Sequence, residues 1–199
     1  RTIREAVIDP FVEYFSRDKA LLILAFILLY KIGDQMASTM TTPFYLDIGF
    51  SKTEIGAVAK LFGFWATIAG GLVGGIVLFK MRMKTALLGF GFLQAISTVG
   101  FSLLALVGNK IPALAAVIAF ENFSGGMGTA AYVAYMASIT NKKFTATQYA
   151  LLSSLMGVPR VLASAPTGFM AESFGWFIFF ALCALVAVPG LILLRWVET

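Results

Sequence analysis

Residues 20–44 read ALLILAFILLYKIGDQMASTMTTPF, an apolar run interrupted by Lys31 and Asp34. At about 1.5 Å per residue, a helix of this length crosses the ~30 Å hydrocarbon core of a bilayer. A charge at the bilayer centre costs at least ~2.5–3.5 kcal/mol, so charged residues there face a protein interior or a wet cavity and mark function. The run lacks the short apolar region and small-residue cleavage site of a signal peptide, and is expected to stay in the mature chain. Five more apolar stretches follow, at 55–79, 85–107, 111–138, 149–170 and 174–194, joined by short connections. The expected fold is an all-α membrane protein, a six-transmembrane-helix bundle over residues 20–199. Residues 1–19 precede it as a cytoplasmic linker. There Ile3, Val7, Phe11 and Tyr14 recur at helical spacing opposite Glu5, Asp9 and Glu13, the pattern of an amphipathic segment at the membrane surface.

Composition agrees. Of 199 residues, 59% are hydrophobic and 13% charged, which excludes an ordinary soluble globule and requires lipid to solvate the surplus. Histidine is absent and Cys183 is the single cysteine, which removes most metal sites, Ser–His and Cys–His catalysis, and any intrachain disulfide. The net charge of +5 is read as topology, with no nucleic-acid partner implied. Arg1, Arg4, Arg17, Lys19, Lys80, Arg82, Lys84, Lys142, Lys143 and Arg195 fall on one side; Lys52 and Lys110 fall on the other. That bias predicts that both termini are cytoplasmic. Residue 1 is Arg, and the numbered chain is expected to begin inside a longer or processed product.

Ser51-Lys52-Thr53-Glu54 and Thr145-Ala146-Thr147-Gln148 read as capping boxes opening the second and fifth spans. Gly63, Thr67, Gly71 and Gly75 form a small-residue stripe suited to close helix packing. Gly126, Ala130, Ala134 and Ser138 form a second, and Ser153 with Gly157 a shorter one. Pro159, Pro166 and Pro189 can kink their helices.

Lys31, Asp34, Lys60, Glu121 and Arg160 are the ionisable residues inside spans, in the first, second, fourth and fifth. This pattern repeats with a period of three helices, as in a bundle of two inverted three-helix repeats, and it makes the third and sixth spans lipid-facing. Lys31, Gln35, Ser38 and Thr42 advance by helical steps and trace one polar face, with Asp34 three residues from Lys31 and placed to pair with it. That pair either serves the pathway or only fixes helix register. Glu121 and Asn122 precede a glycine-rich run near mid-membrane. Glu121 either ties helices by pairing with Lys31 or Arg160, or takes up and releases a proton. Arg160 can offer a fork to a carboxylate, whereas Lys60 lies nearer the outer leaflet and can snorkel. Three cations against two carboxyls leave one positive charge that an anionic substrate could neutralise. Asp34 and Glu121 could alternatively serve as acid and base of a membrane-embedded transferase.

The runs Tyr30-Lys31-Ile32-Gly33-Asp34-Gln35, Gly49-Phe50, Phe120-Glu121-Asn122-Phe123-Ser124-Gly125-Gly126-Met127-Gly128-Thr129, and Phe144-Thr145-Ala146-Thr147-Gln148-Tyr149-Ala150-Leu151-Leu152-Ser153 resemble the AmpG-type muropeptide permeases of the major facilitator superfamily. The resemblance implies the C-terminal six-helix half of a proton-coupled importer of anhydro-muropeptides in the bacterial inner membrane, acting in cell-wall recycling and β-lactamase induction. It implies a carrier rather than an enzyme, with an anionic sugar-peptide substrate, an N-terminal six-helix half as partner, the lipid bilayer around it, and no cofactor beyond the proton gradient. Asp34 and Glu121 are then candidates for proton coupling, and Lys31, Gln35, Asn122, Arg160 and Lys60 for substrate. Gly63, Gly71, Gly75 and Gly126 are left to helix packing. The loop after the second span departs from the superfamily signature, with Phe79 in place of an aspartate and Arg82 in place of a glycine. Another major-facilitator carrier, of acetyl-coenzyme A or of exported drugs, is the nearest rival.

Overall fold

The computed structural model describes residues 8–155 and 157–197. The expectations for Arg1, Ile3, Arg4, Glu5 and Val7, and for the side chain of Pro159, lie outside the described residues. Among those described there are helices and short connections but no strand: α1 (Asp9–Phe15), α2 (Ala20–Tyr30), α3 (Ile32–Asp47), α4 (Lys52–Val58), a π-helical turn (Ala59–Gly63), α5 (Phe64–Lys80), α6 (Met83–Val107), α7 (Ile111–Ile139), α8 (Thr145–Leu155), α9 (Gly157–Ser164) and α10 (Thr167–Leu193). The protein is an all-α membrane protein. Among the described residues, four helical stretches are long and apolar enough to cross a bilayer: Ala20–Asp47, Lys52–Lys80, Met83–Val107 and Thr167–Leu193. α7 has the length, at 29 residues, but Glu121, Asn122 and the glycines that follow dilute its apolar character. Residues 149–170, read from sequence as one span, are helical over 149–155 and 157–164, turn at Ala165 and Pro166, and enter α10 at Thr167. The last helical break falls at Gly175, at φ 74°, rather than at residues 171–173.

Ser51 starts α4 with a complete capping box: its hydroxyl accepts from the Glu54 amide, and the Glu54 carboxylate accepts from the Ser51 amide at 2.8 Å. The second expected box does not form. Gln148 instead accepts from the Asn141 amide at 2.7 Å and donates to the Pro10 carbonyl at 3.0 Å and to Glu13. Glu13 also pairs with Arg17 at 2.8 Å, and Arg17 donates to the Ile139 carbonyl. This clasp seats α1 against the end of α7 and the start of α8. Burial would raise the Glu13 carboxyl, but hydrogen bonds from Asn141, Gln148 and Arg17 and the charge of Arg17 outweigh it and hold it below its ordinary value.

The small-residue seam lies one face away from the expected stripe. A Cβ at Gly74 would sit 2.8 Å from the Met127 Cα, one at Gly126 would sit 2.5 Å from the Thr67 carbonyl oxygen, and one at Gly70 would run into the Phe123 carbonyl. Gly63 meets Ile118 and Asn122, but a Cβ at Gly71 or Gly75 would meet nothing within 4 Å. Steps of four residues walk about 40° around a helix each time, so a 63–67–71–75 stripe drifts off its neighbour, whereas 63, 70 and 74 stay within a narrow arc. Close approach of α5 to α7 therefore rests on Gly63, Gly70, Gly74 and Gly126.

Two apolar layers fill the bundle. One gathers Phe26, Tyr30, Phe90, Met127, Tyr132 and Tyr135; the other gathers Met36, Phe44, Phe101, Ile118, Phe179 and Phe180. Along each of three neighbouring segments the layers are separated by polar residues: Lys31 and Asp34 between Tyr30 and Met36, Gln94 and Ser97 between Phe90 and Phe101, Glu121 and Ser124 between Ile118 and Met127. A polar belt thus lies halfway along the helices. The third span is accordingly not a passive lipid-facing helix, because α6 buries Gln94, Ser97, Thr98 and Ser102 inside the bundle. The sixth, α10, packs on α2, α3 and α6.

Candidate functional site

The belt is built around Lys31, at the break between α2 and α3, where φ is −103° and ψ −2°. Its side chain is buried, and Nζ donates to Asp34 Oδ2 at 3.3 Å and to Gln94 Oε1 at 3.1 Å. A buried ammonium needs such partners, since leaving it unpaired costs several kcal/mol. The Gln94 amide nitrogen lies near enough to Asp34 to interact with its carboxylate but makes no hydrogen bond of normal geometry. Room for Gln94 comes from α7: a Cβ at Gly128 would sit 2.8 Å from Gln94 Oε1.

Glu121 approaches the same cluster from α7. Its Oε2 accepts from the Ser97 hydroxyl at 2.5 Å, and the Ser124 hydroxyl donates to Ser97 at 2.7 Å. Asp34 and Glu121 line the same cavity, so the cluster presents one cation and two carboxyls to it.

These groups open on a cavity of about 600 Å³ lined by Lys31, Asp34, Ser38, Thr41, Tyr45, Thr67, Gly71, Phe101, Glu121, Asn122, Gly125, Gly126, Thr129, Ala130 and Val133. On α3 the wet face runs through Asp34, Ser38, Thr41 and Tyr45 rather than Gln35 and Thr42, because α3 begins afresh after the break at Lys31 and sets its own phase. Asn122 is at the cavity, where its Oδ1 accepts from Thr67 at 3.1 Å. Gly71, expected in the packing seam, lines this cavity instead.

Of the residues singled out from sequence, Lys31, Asp34, Glu121 and Asn122 come together and Gln35 remains half-buried off the wall. Lys60, in the π-helical turn, and Arg160, on α9, are exposed and outside the cavity wall. The expected surplus of one cation is therefore not found in the belt, where one lysine faces two carboxyls. Glu121 bonds to Ser97, not to Arg160. Gln94 and Ser97 are not singled out by the sequence; their only signal is being polar near the middle of the apolar stretch 85–107, which carries no charge. Among the described residues, no group of three or more acidic or cysteine side chains is placed to hold a metal ion.

No family model matches the chain. Among curated proteins, the anhydromuropeptide permease of Escherichia coli is 44% identical over 195 residues, covering 98% of this chain and 40% of that protein. Putative transporter AmpG 4 of Rickettsia conorii is 37% identical over 193 residues, covering 97% of this chain and 47% of that protein. Putative transporter AmpG 1 of Rickettsia prowazekii is 37% identical over 179 residues, with 90% and 40% covered. The chain thus spans less than half the length of the relatives it matches.

Proposed function

Because the chain is homologous over nearly its whole length to AmpG-type permeases, we propose that it is the C-terminal six-helix half of a proton-coupled carrier that imports anhydro-muropeptides across the bacterial inner membrane. In this reading residues 1–19 are the cytoplasmic linker, residues 20–199 form two inverted three-helix repeats, and both termini are cytoplasmic. The observation that carries it is the mid-membrane cluster of Lys31, Asp34, Gln94, Ser97 and Glu121 opening on the 600 Å³ cavity. Buried charge at that depth is costly and is retained where a pathway uses it.

Asp34 and Glu121 are the proton-coupling groups, Asp34 paired with Lys31 and Glu121 bonded to Ser97. Lys31 then exchanges Asp34 for a substrate carboxylate, and Asn122 and Thr67 bond sugar hydroxyls or peptide amides. An N-terminal six-helix half supplies the facing wall and the remaining substrate contacts, among them any met by Arg160, Lys60 or Gln35. The chain acts as a carrier rather than an enzyme, with the proton gradient in place of a cofactor. The names of the relatives support this reading.

The test is uptake of labelled anhydro-muropeptide by proteoliposomes holding the full carrier, with and without an imposed proton gradient and with acetyl-coenzyme A as competitor. Gradient-dependent uptake that acetyl-coenzyme A leaves unchanged is expected. Glu121→Gln should abolish uphill accumulation while sparing counterflow exchange. Equal loss of both would assign Glu121 to binding or folding, and inhibition by acetyl-coenzyme A would favour the rival cargo.

A further inference from the structure

The end of the bundle where Ala20–Asp47 begins, Met83–Val107 begins and Thr167–Leu193 ends holds a second cavity, of about 830 Å³. Its wall carries four cations, Lys19, Arg82, Lys84 and Arg195, with Leu88, Trp196 and Val197 among the rest. Among the described residues, none of those lining it is acidic, and Asp18, next to Lys19 in sequence, is exposed and not part of the wall. Lys84 donates to the Arg195 carbonyl at 3.1 Å and to the Val197 carbonyl at 3.4 Å, fastening the tail of α10 to the first turn of α6. Its ammonium keeps a third proton. α6 starts at Arg82 without a side-chain cap, so first-turn amides of a 25-residue helix add their positive end to the same cavity. Lys19 lines the cavity but has a partner of its own, so the site rests on Arg82, Lys84 and Arg195.

Position matters as much as charge. Three membrane spans change from apolar to polar sequence at this cavity, which places it at the level of lipid headgroups. Trp196 is 55% exposed beside it, the arrangement of an interfacial anchor whose ring meets lipid. Leu88 is exposed and offers an apolar edge along which an acyl chain can run. A free inorganic anion would use the cations but neither Trp196 nor Leu88.

We propose that this cavity binds the phosphodiester headgroup of an anionic membrane phospholipid. Arg82 and Arg195 grip the phosphate oxygens, Lys84 supplies its remaining donor, and the acyl chains leave past Leu88 and Trp196. The site is separate from the polar belt and independent of the cargo.

The test is native mass spectrometry of the full chain released from micelles supplied with equal phosphatidylglycerol and phosphatidylcholine. The wild type should retain phosphatidylglycerol selectively. Arg82→Gln with Arg195→Gln should lower that selectivity about 25-fold, since the two cations removed are the ones that hold the phosphate itself and each contributes about a fivefold preference. Lys84 is left in place so that the α6–α10 tie survives, and an unchanged melting temperature establishes that the fold is intact. Lys142→Gln with Lys143→Gln, at the same end but outside the cavity, should leave selectivity unaltered. Unchanged selectivity in the Arg82/Arg195 variant, or equal loss in the Lys142/Lys143 variant, overturns the proposal. Displacement of the lipid by millimolar inorganic phosphate would make this a general anion site and overturn the assignment to lipid.

Discussion

Gln94 is the residue on which the buried belt turns, because its amide oxygen accepts from the buried Lys31 ammonium. Gly128→Ala should act through it: the added methyl would displace Gln94 Oε1, the end of a flexible side chain, and take it off Lys31. The expected loss is about 1–3 kcal/mol of stability with a fall in transport. Combined with Gln94→Ala, the same substitution should cost much less, since the group it displaces is already gone, and thermal melting of the two single variants and the double variant measures that coupling. Additive losses would mean that Gly128 acts elsewhere. Lys31, Asp34 and Glu121 were legible in the sequence because charge inside an apolar run is rare, and the Lys31–Asp34 pairing because three residues is a helical step. Gln94 and Ser97 were not, since an amide and a hydroxyl are common on helices and only tertiary placement sets them beside a charge. Arg160 and Lys60 show the converse. Counting charges in spans does not say which way each one faces.

At the level of elements, α1 is held by polar groups. Tyr14 is fully buried, but the clasp itself is Glu13 with Arg17, Gln148 and Asn141. Since the folded-state Glu13 carboxyl lies below its ordinary value of 4.5, its contribution is complete above that value and is lost as pH falls through the lower, folded one. The protection of α1 amides, measured against the intrinsic exchange rate at each pH, should therefore hold down to the ordinary carboxylate range and fall below it. Glu13→Gln should lower that protection already at neutral pH and leave it unchanged through the carboxylate range. The seam between α5 and α7 makes a second prediction: Gly74→Ala should destabilise the bundle by about 1–3 kcal/mol through overpacking against Met127, whereas Gly75→Ala should be neutral. Melting temperatures of the two variants distinguish them. Glycine content announced a close approach between helices, but the face was misjudged because i+4 steps drift around a straight helix while neighbouring faces do not. The Thr145–Gln148 pattern was misjudged for a related reason, in that a distant partner, α1, offered Gln148 better bonds than its own helix end.

Across the whole molecule, the two ends differ in chemistry. One end gathers Arg17, Lys19, Arg82, Lys84, Lys142, Lys143 and Arg195 around the clasp and the second cavity. The other is tied by Asn109 donating to the Gly49 carbonyl at 2.6 Å and by the Trp176 indole donating to Asp47 at 2.6 Å. In a Cys183→Ser background, Lys142→Cys and Lys52→Cys should react with an impermeant maleimide from opposite faces, the former only after the cytoplasmic side is exposed. Labelling of both from one side would overturn the proposed orientation. The wild-type chain should stay unlabelled while folded, because Cys183 is buried between α10 and its neighbours. The break at Lys31 gives this asymmetry a mechanical meaning. Below it the scaffold is bolted, with Tyr30 donating to the Leu87 carbonyl and Tyr132 to the Ile27 carbonyl. Above it α3 packs through the rings of Phe44, Phe101, Trp176 and Phe180 and is tied at its far end by the Trp176–Asp47 hydrogen bond. The break at Lys31 thus joins two stretches held by different contacts, so that any change in what Asp34 and Gln94 offer the buried ammonium is a change at the joint between them.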